Sequence, residues 1–169
     1  MSFRLWGAAA LVLLSVPAAA DGFATRDLSS LSVDTAGYDG GAFVFRAAPE
    51  RLMLVCNGCD AMTAVDVIIG TNTDGTEGRY RNGDTPIEEL EAICQSREPE
   101  CRMQAVEVGD AVGWQTTYPI AKMGLQGSTA YLMRDGDTLT IRSVAGDGAR
   151  AKANAEEALS KIAPQVVGP

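Results

Sequence analysis

The chain contains no histidine and has only three lysines, Lys122, Lys152 and Lys161. Histidine is the commonest general base near neutral pH and the commonest nitrogen ligand of zinc and copper. Its absence excludes Ser-His-Asp triads, Cys-His pairs and histidine-zinc hydrolytic sites. We therefore expect no catalytic residue, no metal site and no cofactor. A hydrolase that relies on carboxylates stays open, but no residue can be named for it.

Long apolar runs are scarce, and the only extended one lies near the start of the chain. Arg4 supplies a basic start, residues 5–16 are largely apolar, and small residues at 18–20 precede Asp21. This layout is typical of a secretory signal peptide, and the run is shorter than the roughly 20 residues that span a membrane. We expect residues 1–20 to be cleaved after Ala20, and the mature protein to be periplasmic or secreted.

Basic residues are outnumbered by acidic ones, 14 to 22, and the formal net charge is −8. Arg4 is the only charged residue in the predicted signal peptide, so 13 basic and 22 acidic residues remain after cleavage, a net charge of −9. Such a surface repels nucleic-acid phosphates and anionic lipid, and no cluster of Lys and Arg offsets it. We expect no nucleic acid and no membrane insertion. The predicted partner is another periplasmic or secreted protein.

The remaining length suits a single globular domain over residues 21–169, in which residues 21–41 are expected to form a loose N-terminal arm. Short β-branched or alternating runs, separated by Gly, Asn, Asp and Pro, predict strands. These runs lie at 41–46, 51–55, 65–69, 103–108, 112–118, 128–133 and 138–144. With one helix between them and one at the end, the order predicts an α+β fold: a mainly antiparallel sheet with two helices packed on one face, stapled by disulfides.

The turn signals differ in strength along the chain. Asp135-Gly136 lies between two alternating runs and is the clearest hairpin turn. Asn57-Gly58 predicts a second two-residue turn. Residues 71–83 are rich in Gly, Asn, Asp and Thr, and we expect an exposed loop or hairpin tip there.

The two predicted helices each carry a start signal. Thr85, Pro86 and Glu88 match a capping box for the first helix. Asp147 is expected to cap the second, which Pro164 ends. Each helix has an apolar face that we expect to be buried: Ile87, Leu90, Ile93 and Cys94 in the first, and Ala151, Ala155, Ala158, Leu159 and Ile162 in the second.

The four cysteines, Cys56, Cys59, Cys94 and Cys101, allow three interpretations. An exported protein favours two structural disulfides, of which Cys56–Cys59 and Cys94–Cys101 are the preferred pairs among three connectivities. A redox dithiol at Cys56 and Cys59 is the second interpretation, although a redox motif normally begins a helix and this one contains a turn signal. A zinc site with four thiolate ligands is the third.

Arg and aromatic side chains are enriched at protein interfaces, so a polar, exposed segment that contains them is a candidate recognition site. Arg79, Tyr80 and Arg81 meet that description and are the predicted partner-binding residues. Trp114, Thr116 and Tyr118 alternate along one strand, so they share a face that either packs in the core or lines a groove. Residues 72–77 resemble part of a calcium loop but fail its ligand register, so a solvated turn is expected.

These observations favour a small exported binding or accessory protein without catalysis of its own. The alternative is a thiol-disulfide redox protein that uses Cys56 and Cys59.

Overall fold

A computed structural model describes residues 22–39 and 41–169. The predicted signal peptide and Asp21 lie outside the described residues. Seven strands form one antiparallel sheet: β1 (Ala42–Ala48), β2 (Arg51–Asn57), β3 (Ala64–Thr71), β4 (Arg102–Val108), β5 (Ala111–Ile120), β6 (Leu125–Arg134) and β7 (Asp137–Ala145). Their order across the sheet is β1-β2-β3-β7-β6-β5-β4. The helices are α1 (Thr76–Arg81), α2 (Ile87–Gln95), α3 (Gly148–Lys161) and α4 (Ala163–Val167). The predicted α+β class with an antiparallel sheet is confirmed.

The β6–β7 hairpin turns at the predicted position. Arg134 pairs with Asp137, and the two residues between them both have positive φ, 51° at Asp135 and 85° at Gly136. A two-residue turn of this kind matches the right-handed twist of the strands that it joins. The hairpin lies in the middle of the sheet, so its register fixes which side chains of both halves share a face.

Helix α3 covers one face of the sheet, which we call the α3 face. The Asp147 carboxylate accepts a 2.8 Å hydrogen bond from the Arg150 backbone N–H, so the predicted cap is present. All five residues of the predicted apolar stripe are buried: Ala151, Ala155, Ala158, Leu159 and Ile162. The last three belong to one core cluster with strand residues of the same face, among them Leu52, Val67, Leu132 and Ile141. Pro164 does not end the chain's helical structure, because it lies in the first turn of α4.

Residues 22–39 contain no strand and only one 3-10 turn, Leu28–Ser30. Phe23, Leu28 and Tyr38 are nevertheless buried and belong to the core. The Phe23 N–H donates to the buried Asp137 carboxylate at 2.8 Å. These contacts hold the segment against the sheet although its backbone is irregular.

Residues 71–83 are not only a loop, as the sequence predicted, because they contain α1. A six-residue helix has little stability of its own, and tertiary contacts decide whether it forms. Glu77 and Arg81 form a 2.8 Å ion pair one turn apart, and Tyr80 packs on Trp114 with ring centroids 5.3 Å apart. Trp114 points away from α3, so α1 lies on the other face of the sheet, which we call the open face.

In the described residues, no helix has the length and apolar character to cross a membrane.

Candidate functional site

The Cys56–Cys59 disulfide is present and closes the connection after β2. The predicted two-residue turn at Asn57-Gly58 is wrong, because β2 continues to Asn57 and residues 58–63 connect it to β3. The strand continues because β1 pairs with it there, with Phe43 opposite Cys56. Cys56 packs against the hydrophobic core, so this disulfide joins a strand to its following loop and does not begin a helix.

The Cys94–Cys101 disulfide is also present and joins the last turn of α2 to the residue before β4. Cys101 is fully buried. Its carbonyl accepts hydrogen bonds from the Arg102 guanidinium at 2.7 Å and from the Gln95 side chain at 3.3 Å. The corner between α2 and β4 is therefore held by one covalent bond and several hydrogen bonds.

The prediction that the apolar face of α2 is buried is wrong. No residue of α2 is buried, and the Ile93 side chain is 51% exposed. The predicted capping box is also absent, because Pro86 occupies the N-cap position and no side chain caps the helix. Apolar periodicity shows which face of a helix is apolar, and the fold decides whether anything packs against that face.

A cavity of about 410 Å³, which we call the α2 pocket, separates α2 from the open face of the sheet. Its volume is within the range of small-molecule and side-chain binding pockets, roughly 300–1,000 Å³. Its walls are mainly apolar, with Arg97 and Glu98 as the two charged members. The lining residues are Leu90, Ile93, Cys94, Arg97, Glu98, Met103, Thr116, Tyr118 and Pro119.

The floor of the α2 pocket is fixed by contacts within the sheet. Met103 lies directly opposite Thr116, whose hydroxyl donates to the Thr129 carbonyl at 3.2 Å. The Tyr118 hydroxyl is 3.0 Å from the Thr129 hydroxyl. The Tyr118 ring covers Gly127, where an added Cβ would lie 2.8 Å from the ring. The floor is therefore held in one arrangement before anything binds.

Sequence reasoning found part of this pocket and missed the rest. The alternation of Trp114, Thr116 and Tyr118 correctly indicated one shared face, and the last two line the pocket. Met103 and Pro119 carried no signal of their own. The position of Met103 depends on the β4–β5 register, which pairs it with Thr116.

The predicted partner-binding residues Arg79, Tyr80 and Arg81 all lie on α1. The Tyr80 hydroxyl donates to the Gly113 carbonyl at 2.9 Å, and Arg81 donates to the Asp110 carbonyl at 2.6 Å. Arg79 is exposed and bonds only within its own segment. Tyr80 and Arg81 thus hold α1 on the sheet, and Arg79 presents its guanidinium to solvent.

Glu77 fastens α1 to the β6–β7 turn, because its carboxylate accepts hydrogen bonds from Arg81 and from the Gly136 N–H at 3.2 Å. Partial burial alone would raise the pKa of the Glu77 carboxyl. The Arg81 hydrogen bond and those from the backbone of Gly136 and Asp135 outweigh burial, so its pKa lies below the ordinary value.

A lowered pKa makes the Glu77 contribution to stability depend on pH. The contribution is complete above the ordinary glutamate pKa of 4.5 and is lost as pH falls through the lowered value. We expect Glu77→Gln to lower the free energy of unfolding at pH 7 by about 0.5–1 kcal/mol, and by less in acid. Urea titrations at pH 7 and pH 3 measure this, with Glu89→Gln as the control. An equal loss at both pH values would contradict the assignment.

Between β3 and α1, the side-chain oxygens of Asn72 and Asp74 bond to the local backbone. The Asn72 side-chain oxygen accepts from the Asp74 N–H at 2.9 Å, and Asp74 accepts from the Thr76 N–H at 2.8 Å. Across the described parts of the chain, no three or more His, Cys, Asp or Glu side chains are grouped so that they could hold a metal ion.

A second groove, of about 560 Å³, runs between α3 and β4 on the α3 face. Its floor is polar: Gln104 donates to Gln115 at 2.8 Å, and Gln115 donates to the buried Ser128 hydroxyl at 2.9 Å. These amides already bond to one another. The α2 pocket differs because most of its lining side chains are apolar.

Compared with known proteins, the chain matches no protein-family model, and no curated protein is significantly similar to it.

Proposed function

We propose that this protein is an exported binding or accessory protein, without catalysis of its own, that receives an apolar side chain of a partner protein in the α2 pocket. One observation carries the proposal: the apolar face of α2 stands over an apolar cavity and is not buried by the protein's own core. Exposed apolar surface in a concave, prearranged site is typical of recognition surfaces. The two disulfides support export, since such bonds persist in oxidising compartments.

The charges beside the pocket favour a peptide segment over a purely apolar small molecule. Arg97 and Glu98 line the same cavity as Leu90 and Ile93. A peptide offers an apolar side chain for the cavity, together with backbone or charged groups of either sign for the guanidinium and the carboxylate. A hydrocarbon ligand would leave both charged groups without a partner.

The predicted residues Arg79, Tyr80 and Arg81 fit into the same proposal. Helix α1 packs beside Trp114, and the α2 pocket includes Thr116 and Tyr118 on the same strand and the same face. A partner lying along β5 would contact both helices. In this arrangement Arg79 supplies the charged contact, while Tyr80 and Arg81 position α1.

The alternative function, thiol-disulfide exchange by Cys56 and Cys59, has less support from the geometry. Reactive disulfides of that class lie at helix N-termini, where the helix dipole stabilises the thiolate. Cys56 is the penultimate residue of β2 and packs against the core. This placement favours a structural role.

The binding proposal is tested by placing a charge in the pocket wall. We expect Ile93→Glu to weaken binding of the fluorescent probe anilinonaphthalene sulfonate by about tenfold or more, because a carboxylate in the pocket wall removes apolar contact with the rings of the probe and repels its sulfonate. Ile93 is half exposed, so the fold should tolerate the change. Met123→Glu, at a side chain that is 57% exposed elsewhere, is the matched control and should leave binding unchanged.

A photo-crosslinking amino acid then tests for a protein partner in the compartment where the protein resides. Placed at position 93, it should yield a defined adduct with another protein, and at position 123 it should not. Probe binding that is unaffected in folded Ile93→Glu, together with no position-specific adduct, would refute the proposal.

A further inference from the structure

Strand β1 is an edge strand with apolar side chains exposed on both faces. Val44 is 57% exposed on the open face, and Phe45 is 44% exposed on the α3 face. Among the described residues β1 pairs only with β2, through a continuous register from Ala42 to Ala48. A straight apolar edge without proline or acidic side chains is the kind that pairs with another strand.

The sequence of β1 is complementary to itself when a second copy runs antiparallel about Phe45. Phe45 then faces Phe45 of the second copy, and Phe43 faces Ala47, a large side chain opposite a small one. Val44 faces Arg46, so the only charged side chain of the strand never meets its own copy. In each facing pair both residue numbers are odd or both are even. Because side chains alternate between the two faces along a strand, the members of each pair lie on the same face of the joined sheet.

We propose that two copies of this chain pair through β1, antiparallel and centred on Phe45, into one continuous sheet. Twofold symmetry is the commonest arrangement of homo-oligomers and requires a surface that is complementary to itself. The inference rests on β1 alone and does not depend on the α2 pocket, which lies at the opposite end of the sheet.

Charge favours a second copy at this edge even though the protein is acidic overall. Strand β1 carries no acidic side chain, and the neighbouring Arg51 is paired with Asp66 at 2.7 Å. Its ladder partner β2 also carries no acidic side chain, so pairing here brings no carboxylates of these strands together. The exposed Val55 lies beside Val44 and extends the apolar surface onto β2. A hollow of about 280 Å³ lined by Val44, Arg46, Met53 and Val55 adjoins the edge, and in the dimer the hollows of the two copies meet.

Charge substitutions at position 44 test the register as well as the contact. Val44→Lys places an ammonium opposite Arg46 of the second copy, and the symmetry repeats this repulsion. We expect the dissociation constant of the dimer to rise about tenfold. Val44→Glu places a carboxylate opposite Arg46 and should preserve the dimer. Met123→Lys, at equal exposure, should have no effect.

Sedimentation equilibrium of the purified protein at high micromolar concentration measures these constants. A cysteine at position 45 should crosslink two copies, because facing residues of antiparallel strands lie within disulfide distance. A cysteine at position 42 should not, because it faces Ala48. A monomeric wild type, equal effects of Val44→Lys and Val44→Glu, or crosslinking at 42 and not at 45 would each overturn the proposal.

Discussion

Replacing Gly113 with alanine is expected to reduce the free energy of unfolding by about 3 kcal/mol or more, which is a large effect for a single methyl group. An added Cβ at this position would overlap the Tyr131 carbonyl oxygen and would lie 2.8 Å from its carbon. Both atoms belong to the backbone of β6, so no side chain can rotate away. Relief requires β5 and β6 to separate near Trp114, which would also disturb the Gly113 carbonyl that accepts from Tyr80.

Gly78→Ala provides the matched control for this substitution. Gly78 lies within α1, has an ordinary negative φ, and an added Cβ would meet no atom within 4 Å. Alanine favours a helix by roughly 0.5–1 kcal/mol over glycine, so this variant should be slightly more stable than the wild type. Chemical denaturation of both variants measures the difference. A loss below about 1 kcal/mol at Gly113 would show that the two strands can move apart at little cost.

Features that depend on neighbouring residues in sequence could be predicted. Asp135-Gly136 specifies its turn because both positions accept positive φ, and the observed backbone has it. The buried face of α3 could be predicted because its alanine and leucine residues recur at helical spacing, and the sheet covers that face. The pairing of Cys94 with Cys101 was also preferred, because a helix end and a nearby strand start bring them together.

Features that depend on distant contacts could not be predicted. Nothing near Thr76 indicates a helix, since α1 is stabilised by Trp114 and the Gly113 carbonyl, more than thirty residues away. The apolar face of α2 was found, but its position over a pocket follows from the β4–β5 register and the disulfide corner. The pairing of β3 with β7 could not be predicted either, because these strands lie about seventy residues apart in the sequence.

The two disulfides are expected to affect stability similarly and binding differently. In the loop-entropy account, removing either bond costs about 2 kcal/mol, slightly more for Cys94–Cys101 because it closes the longer loop. Cys94 lines the α2 pocket, and its bond to Cys101 holds α2 above the sheet, whereas Cys56 at the end of β2 and Cys59 in the following loop do not line it. We therefore expect the double variant Cys94→Ser, Cys101→Ser to lose about tenfold or more in probe affinity.

The double variant Cys56→Ser, Cys59→Ser should be destabilised but should bind the probe as the wild type does when it is folded. Both pairs are measured by urea denaturation and by probe titration under conditions where each variant is folded. The reduction potential of Cys56–Cys59 separates the two proposed functions, and we expect it to lie below about −250 mV, as for a structural bond. A potential near that of a periplasmic oxidant, with turnover on a disulfide substrate, would make the protein an oxidoreductase. Unchanged binding in the Cys94→Ser, Cys101→Ser variant would instead show that the hydrogen bonds around Cys101 are sufficient to hold α2. Equal loss of binding in the two double variants would show that the loss follows from lower stability and is not specific to the α2 pocket.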